Sequence, residues 1–336
     1  MDAPLISVVM PVRNVPAIYL DQAVRSVLAQ SEPRFEFVIV DDRSAAENVA
    51  ELRAWARRDA RIRVVAARSP GVAGALNTGL AQARGTFIAR MDGDDVTLPD
   101  RFAVQVAYLQ SHPDCVCVGC DVLLIDPEGA ALARVWQETD HRAIEARLLL
   151  GVGGSICHPS ILMRRAAVEQ VGRYDERFDC SQDLDLFLRL AEVGKLANLT
   201  SVQLHYRQHL ASVNTRMHSR QWQYKRIITD RARARRGLTP LSLPRRPPPN
   251  SIGITYSRWG RMALRAGNTY TGWKYTARAL LRAPFEAPTW LRVVAGYMQR
   301  KYGVHSLERE ALPAPRLGLV DNQHADAALR SVRKAA

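Results

Sequence analysis

Residues 90–101 read RMDGDDVTLPDR, which places three aspartates, Asp92, Asp94 and Asp95, within four positions directly after the apolar run TFIA. Carboxylates this close repel one another unless water screens them or a cation joins them. Three kinds of chemistry compete for such a cluster: a solvated turn, a calcium loop, or a hard divalent ion that grips phosphate through oxygen ligands. A calcium loop fits worst, because DGDDVTLPDR lacks the later ligand positions and the closing glutamate of an EF-hand. A turn would suit DGDD taken alone, so the choice depends on which other groups the chain brings to the same place.

The elements around the cluster are legible as alternating strands and helices. LISVVMPV (5–12), FEFVIVDD (35–42), IRVVAA (62–67) and TFIARMD (86–92) are continuous apolar or β-branched runs, the pattern of strands buried on both faces. Between them, AIYLDQAVRSVLAQ, AENVAELRAWARRD and VAGALNTGLAQAR carry helical spacing. Strand and helix in alternation predict an α/β fold with a mostly parallel sheet flanked by helices. In such sheets ligands bind beyond the carboxyl ends of the strands, and MPVRN, DDRS and MDGDD all fall at such ends. Their convergence favours the metal and phosphate chemistry, with Asp92 and Asp94 as ligands of Mg²⁺ or Mn²⁺. No G-x-G-x-x-G follows the first strand, which argues against a dinucleotide Rossmann domain, and no P-loop occurs.

Further along, LPDRFAVQVAYLQSHP predicts a helix with Pro99 near its first turn, and Asp95 is the natural candidate to cap the turn into it. Asp42 or Ser44 could cap the helix after the second strand. HRAIEARLLL and LDLFLRLAEVG read as amphipathic helices, and LANLTSVQLHYRQH as extended chain. Cys115, Cys117 and Cys120 in CVCVGC invite a metal reading, but no paired second half follows and the alternating valines mark a buried strand. Five cysteines in all, with no apolar run of about 18 residues and no basic segment at the start, lead us to expect a cytoplasmic protein without disulfides.

At this point the chain resembles a family. ISVVMPVRN, FEFVIVDDRS, GVAGALNTGLAQARGTFIARMDGDDVTLPDR, HPSILMRR and SQDLDLFLRL look like inverting glycosyltransferase family 2, of the GT-A fold, in its bacterial non-processive form, over about residues 5–215. The resemblance implies that the D-x-D of Asp92 and Asp94 holds a divalent metal on the diphosphate of a nucleotide-sugar, with Asp94 the foremost ligand and Asp92 reaching the ribose or a metal-bound water. It implies that Pro11, Val12 and Asn14 lie along the nucleotide, and that Asn77 shapes the donor pocket. Asp42 would accept the N3–H of a uracil-type base, so a UDP-sugar is the expected donor.

Inversion in a single displacement needs a base on the face opposite the leaving group. The resemblance assigns that role to Asp183, although Gln182 stands where the family has Glu. Asp185 is the rival, and a helix turns it about 200° from Asp183. His158, Tyr206, Arg207 and His209 resemble family positions near the diphosphate or acceptor. The expected product is a bacterial surface or extracellular glycan, built on a glycan or lipid-linked acceptor.

Charge divides the chain. Residues 1–200 hold 22 basic and 27 acidic side chains, and residues 201–336 hold 25 and 6. We therefore expect a catalytic domain over 1–215, a basic helical region over 216–303 containing a proline-rich linker at 239–251, and a disordered tail over 304–336. Arginines interleaved with Trp259, Trp273 and Trp290 suit either helices on an anionic membrane surface, at the inner face, or a solvated basic side of helices packed on the catalytic domain. A nucleic-acid partner is disfavoured because the half that carries the acidic sets is itself net acidic. A nucleotidyltransferase is the other enzyme class that could use the D-x-D. A processive synthase is disfavoured, since RQWQYKR only superficially resembles Q-x-x-R-W and no spans accompany it.

Overall fold

The structure, a computed structural model, describes residues 3–152, 154–210, 217–241, 251–285 and 290. Four parallel strands form its first half: β1 (Ile6–Val12), β2 (Phe35–Asp41), β3 (Ile62–Ala66) and β4 (Phe87–Arg90). They lie in the order β3-β2-β1-β4, with β1 central between β2 and β4. Helices α1 (Ala17–Leu28), α2 (Ala46–Arg58) and α3 (Val72–Gln82) make the crossovers. β1 is buried along nearly its whole length, as its unbroken apolar run requires.

The sheet then continues through further strands, two of which the runs CVCVGC and LANLTSVQLHYRQH announce. β8 (Leu162–Arg164) pairs antiparallel with β4, and β6 (Cys115–Ile125) pairs antiparallel with β8. β9 (Lys195–Arg207) runs parallel to β6, while β5 (Val96–Thr97) and β7 (Ala131–Val135) add antiparallel edges. The nine strands form one mixed sheet whose parallel part presents the acidic sets. Cys115, Cys117 and Cys120 are buried free thiols within β6, as the alternating valines predict.

Two capping expectations are corrected. The helix after Pro99, α4 (Arg101–Ser111), begins two residues beyond the proline, and its N-cap Asp100 makes no side-chain cap bond. Asp95 lies fully buried elsewhere and accepts the Arg207 amide, so it cannot reach that turn. Likewise α2 starts after Ala45 with no side-chain cap, because Ser44 Oγ accepts from Asn14 N and Asp42 from Gly71 N.

Helices α5 (His141–Leu149), α6 (Arg165–Gln170) and α7 (Gln182–Leu190) cover the second half. Then α8 (His218–Arg235) lies on α5 and α7, with Ile228 and Ala232 in their apolar core. Arg235 pairs with Glu192, and Arg236 with Glu145 and Glu192. The hairpin α9 (Ile252–Arg265) and α10 (Thr269–Arg282) packs on β7 and sends Trp259 and Tyr275 into the main core. Trp259 is therefore interior rather than at a membrane surface. Lys274 pairs with Asp126 and Glu128. Part of the basic excess is thus spent on acidic partners in the preceding domain. Residues 242–250 of the proline-rich linker, residues 286–289 and 291–303 of the basic region and the 304–336 tail lie outside the described residues.

One close approach fixes how β4 joins β1. A Cβ added at Gly85 would stand 2.5 Å from the Ser7 nitrogen and 2.6 Å from the Ile6 carbonyl carbon, both backbone atoms. Gly85→Ala is expected to destabilise the fold by about 1–3 kcal/mol. A urea titration checks this: the midpoint should fall with the slope unchanged.

Candidate active site

At the carboxyl end of β1, Val12 O accepts the Asp42 amide at 2.8 Å, lacing β1 to the end of β2. Asn14 adopts a left-handed backbone (φ 50°), donates its amide to Ser44 Oγ at 3.2 Å and accepts from Ala45 N at 2.7 Å. Its side chain thus shapes the loop after β2. Pro11 and Val12 occupy the last two positions of β1, opposite Val40 and Asp41.

Asp42 is buried, and one of its oxygens accepts the Gly71 amide at 3.0 Å with Arg13 at 3.7 Å. Its Oδ1 is buried without a hydrogen-bond partner, an unusual condition for a carboxylate and one that a ligand N–H would relieve. Asn77 on α3 uses its amide on the 174–176 segment: Nδ2 donates to Tyr174 O and Glu176 Oε1, and Oδ1 accepts Tyr174 N. It positions that segment rather than presenting a free amide.

The end of β4 holds the acidic cluster. Carboxylate oxygens of Asp92, Asp94 and Asp95 lie within 4.8 Å of one another. Asp92 meets the buried Arg90 through both oxygens, each at 2.5 Å. Burial pushes the Asp92 carboxyl above its ordinary range and Arg90 pulls it back, while Asp94 and Asp183 add to the upward push. Asp95 accepts Arg207 N at 2.8 Å on one oxygen and leaves the other without a partner. Burial, then the charges of Asp94 and Asp92, raises it well above the carboxylate range. Asp94 is half-exposed, and its Oδ2 lies 2.9 Å from His209 Nε2. Three convergent carboxylates, one with a buried free oxygen, and a neighbouring imidazole are a donor set suited to a hard divalent ion.

Arg207, at the end of β9, braces this cluster. Its side chain donates to Asp94 O (2.8 Å), Gln22 Oε1 (2.6 Å), Pro127 O (3.1 Å) and Asp126 O (3.3 Å), and it stacks over Tyr19. Arg101, fully buried on α4, donates to Arg90 O and Ile161 O and so fixes the strand end from behind. Burial draws its guanidinium down to about 10, so it stays charged at neutral pH.

Asp183 is the second residue of α7, preceded by Ser181 in a left-handed turn (φ 60°). Its Oδ1 accepts Leu184 N at 2.9 Å, and the helix N-terminus favours its ionised form. Burial nevertheless raises its pKa, against the opposing pull of Leu184 N–H, Arg90 and Lys225. Lys225 comes from α8, and burial lowers its pKa while Asp183 raises it. Asp185 is engaged by Arg189 at 2.9 and 2.5 Å on the far side of α7. Gln182 is buried.

His158 shares a 2.8 Å hydrogen bond with Tyr174 Oη and packs edge-on against Tyr174 and Phe187. Burial, with Arg90 nearby, holds it well below its ordinary pKa, hence neutral at pH 7. The structure thus gathers Asp92, Asp94, Asp95, Asp183, Arg207 and His209 around one region and gives Asn14, Asn77 and His158 positioning bonds at its margins. Sequence reasoning missed Arg90, Arg101 and Lys225. A charged residue inside an apolar strand run was the available signal for Arg90.

Comparison with known proteins bears on this arrangement. The Glycosyl transferase family 2 profile matches residues 7–172. The amylovoran biosynthesis glycosyltransferase AmsE of Erwinia amylovora is 31% identical over 208 residues, covering 61% of this chain and 75% of AmsE. Among solved structures, S. aureus TarS 1–349 in complex with UDP-GlcNAc superposes with a TM-score of 0.52 at 15% identity, over 88% of this chain and 90% of that one. The mannosyltransferase PcManGT from Pyrobaculum calidifontis, in complex with GDP-Man and Mn²⁺, gives 0.50 at 18% identity, over 98% and 86%. The sheet and its crossovers are those of a GT-A fold, and the chain belongs to glycosyltransferase family 2.

Proposed function

We propose that the chain is a metal-dependent inverting glycosyltransferase that moves one sugar per encounter from a UDP-sugar to a hydroxyl of a glycan or lipid-linked acceptor. AmsE, named for amylovoran biosynthesis, supports a place in surface or extracellular polysaccharide synthesis. The carrying observation is the three-carboxylate cluster within 4.8 Å at the end of β4, in the electrostatic field of Asp183.

Asp94, with Asp95 behind it and Asp92 and His209 beside it, would hold Mn²⁺ or Mg²⁺. The ion would supply positive charge to the leaving diphosphate. The residues of the chain do the rest. The buried, unpartnered Oδ1 of Asp42 accepts the imide N–H of a uracil, which favours UDP over a nucleotide lacking that donor. The end of β1 lies along the nucleoside, with Asn14 holding the adjoining loop in shape. Arg90 neutralises Asp92, so the donor's diphosphate meets less repulsion than three free carboxylates would impose. Asp183 accepts the proton of the acceptor hydroxyl as that oxygen attacks the anomeric carbon, and the nucleoside diphosphate leaves from the opposite face.

A screen of UDP-, dTDP- and GDP-sugars for thermal stabilisation with and without Mn²⁺ tests this. UDP-sugars should stabilise the wild type only with metal, and Asp94→Ala should abolish the metal-dependent part. Survival of that part in Asp94→Ala, or pyrophosphate release in place of UDP, would overturn the proposal.

A further inference from the structure

The outward side of the hairpin has a composition that the catalytic reading does not use. Tyr270, Trp273, Leu281 and Phe285 are 81%, 41%, 81% and 99% exposed. Within α10, positions 270, 273, 277 and 281 recur at helical spacing, so Tyr270, Trp273, Ala277 and Leu281 share one face. The opposite face is occupied: Tyr275 and Ala279 are buried, and Lys274 and Arg278 pair with Glu128, Lys274 also with Asp126. The exposed stripe is therefore not core turned outward by a register error; the helix has a complete inner face as well.

The charges identify what fits the stripe. Residues 251–285 contain six Lys or Arg and no Asp or Glu. Arg265, at the end of α9, and Arg282, at the end of α10, are exposed and paired with no carboxylate among the described residues. An apolar face with aromatic rings, flanked by guanidinium groups without a carboxylate partner among the described residues, matches a surface that is anionic outside and apolar just beneath. A protein partner would have to offer both features at once, which a phospholipid leaflet does by construction. No helix among the described residues is long and apolar enough to cross a membrane, so this face would lie on the surface rather than span it.

We propose that the outer face of α10, flanked by Arg265 and Arg282, docks on an anionic phospholipid surface, with Trp273, Leu281 and Phe285 entering the boundary between headgroups and acyl chains.

The test is co-sedimentation of the full chain with phosphatidylcholine vesicles, with and without phosphatidylglycerol. Binding is expected only when phosphatidylglycerol is present. Combined Trp273→Ser, Leu281→Ser and Phe285→Ser should weaken the partition coefficient about a hundredfold. Arg265→Gln and Arg282→Gln should each weaken it about fivefold and reduce its salt dependence. These side chains are exposed, so unchanged circular dichroism and an unchanged thermal shift with donor show that each variant is folded. The proposal is overturned if the wild type ignores anionic vesicles or if the triple serine variant binds them as well as the wild type. It is equally overturned if the triple variant turns a wild-type oligomer into a monomer, which would make the face a protein interface.

Discussion

Asp183→Asn is expected to lower kcat by about 10²–10⁴-fold, the usual contribution of a positioned general base. Donor KM should change little, because Asp183 lies on α7 rather than at the strand ends proposed to hold the nucleotide. Asparagine keeps the shape and can still accept the Leu184 amide, so a folding defect is not the expected cause. The pH profile supplies a second readout. A base works only when deprotonated, and burial raises the Asp183 pKa above the ordinary aspartate value of about 3.9. Activity should therefore fall as pH drops through a value higher than that of an ordinary aspartate, and that acid limb should vanish from the residual activity of Asp183→Asn. Steady-state kinetics across pH would decide it: an unchanged kcat in the variant removes Asp183 from the role. Asp185 offers no substitute, since Arg189 holds it on the other side of the helix.

Arg90→Met is expected to produce the largest loss of stability of any single change at the cluster. It removes a buried cation that meets both oxygens of Asp92 and offsets the charges of Asp92, Asp95 and Asp183. Breaking a fully buried pair costs about 3–5 kcal/mol, and Asp92 keeps enough exposure that about 2–3 kcal/mol is the better expectation. Denaturant unfolding monitors this directly. Asp92→Asn combined with Arg90→Met should recover part of the loss, because the stranded carboxylate is then gone. If the double variant is no more stable than Arg90→Met, the pair is not the source of the cost.

Much of the parallel half was legible before the structure. The runs 5–12 and 35–42 are apolar on both faces because the strands they form are covered on both faces, and carboxyl ends of neighbouring parallel strands must lie at one edge. That reasoning finds Asp42, Asp92 and Asp94 together. It does not find β5 and β8, which are two and three residues long and too short to carry a period. Nor does it find the occupations of polar side chains. Asn77 reads as a pocket residue, but its amide bonds the 174–176 segment, a partner nearly a hundred positions away that no local pattern reveals. Lys225 stands 42 positions from Asp183 on a separate helix, and only the packing of α8 on α7 brings its charge to bear.

The turn between β6 and β7 has a bearing on where the enzyme ends. Asp126 is fully buried, receives Glu128 N and Ala130 N on one oxygen, and receives Tyr275 Oη at 3.1 Å and Lys274 on the other. The carbonyls of Asp126 and Pro127 in turn anchor Arg207, whose side chain also bonds the Asp94 backbone and Gln22. Carboxylate cluster and hairpin are thus joined through one arginine and one turn. A chain cut near residue 215 would keep every residue proposed for donor and base, yet would strand a buried carboxylate directly beneath the brace of the cluster. The helical hairpin is in this sense a keystone beneath the brace, and a chain ended near 215 is expected to unfold at lower denaturant than the full chain.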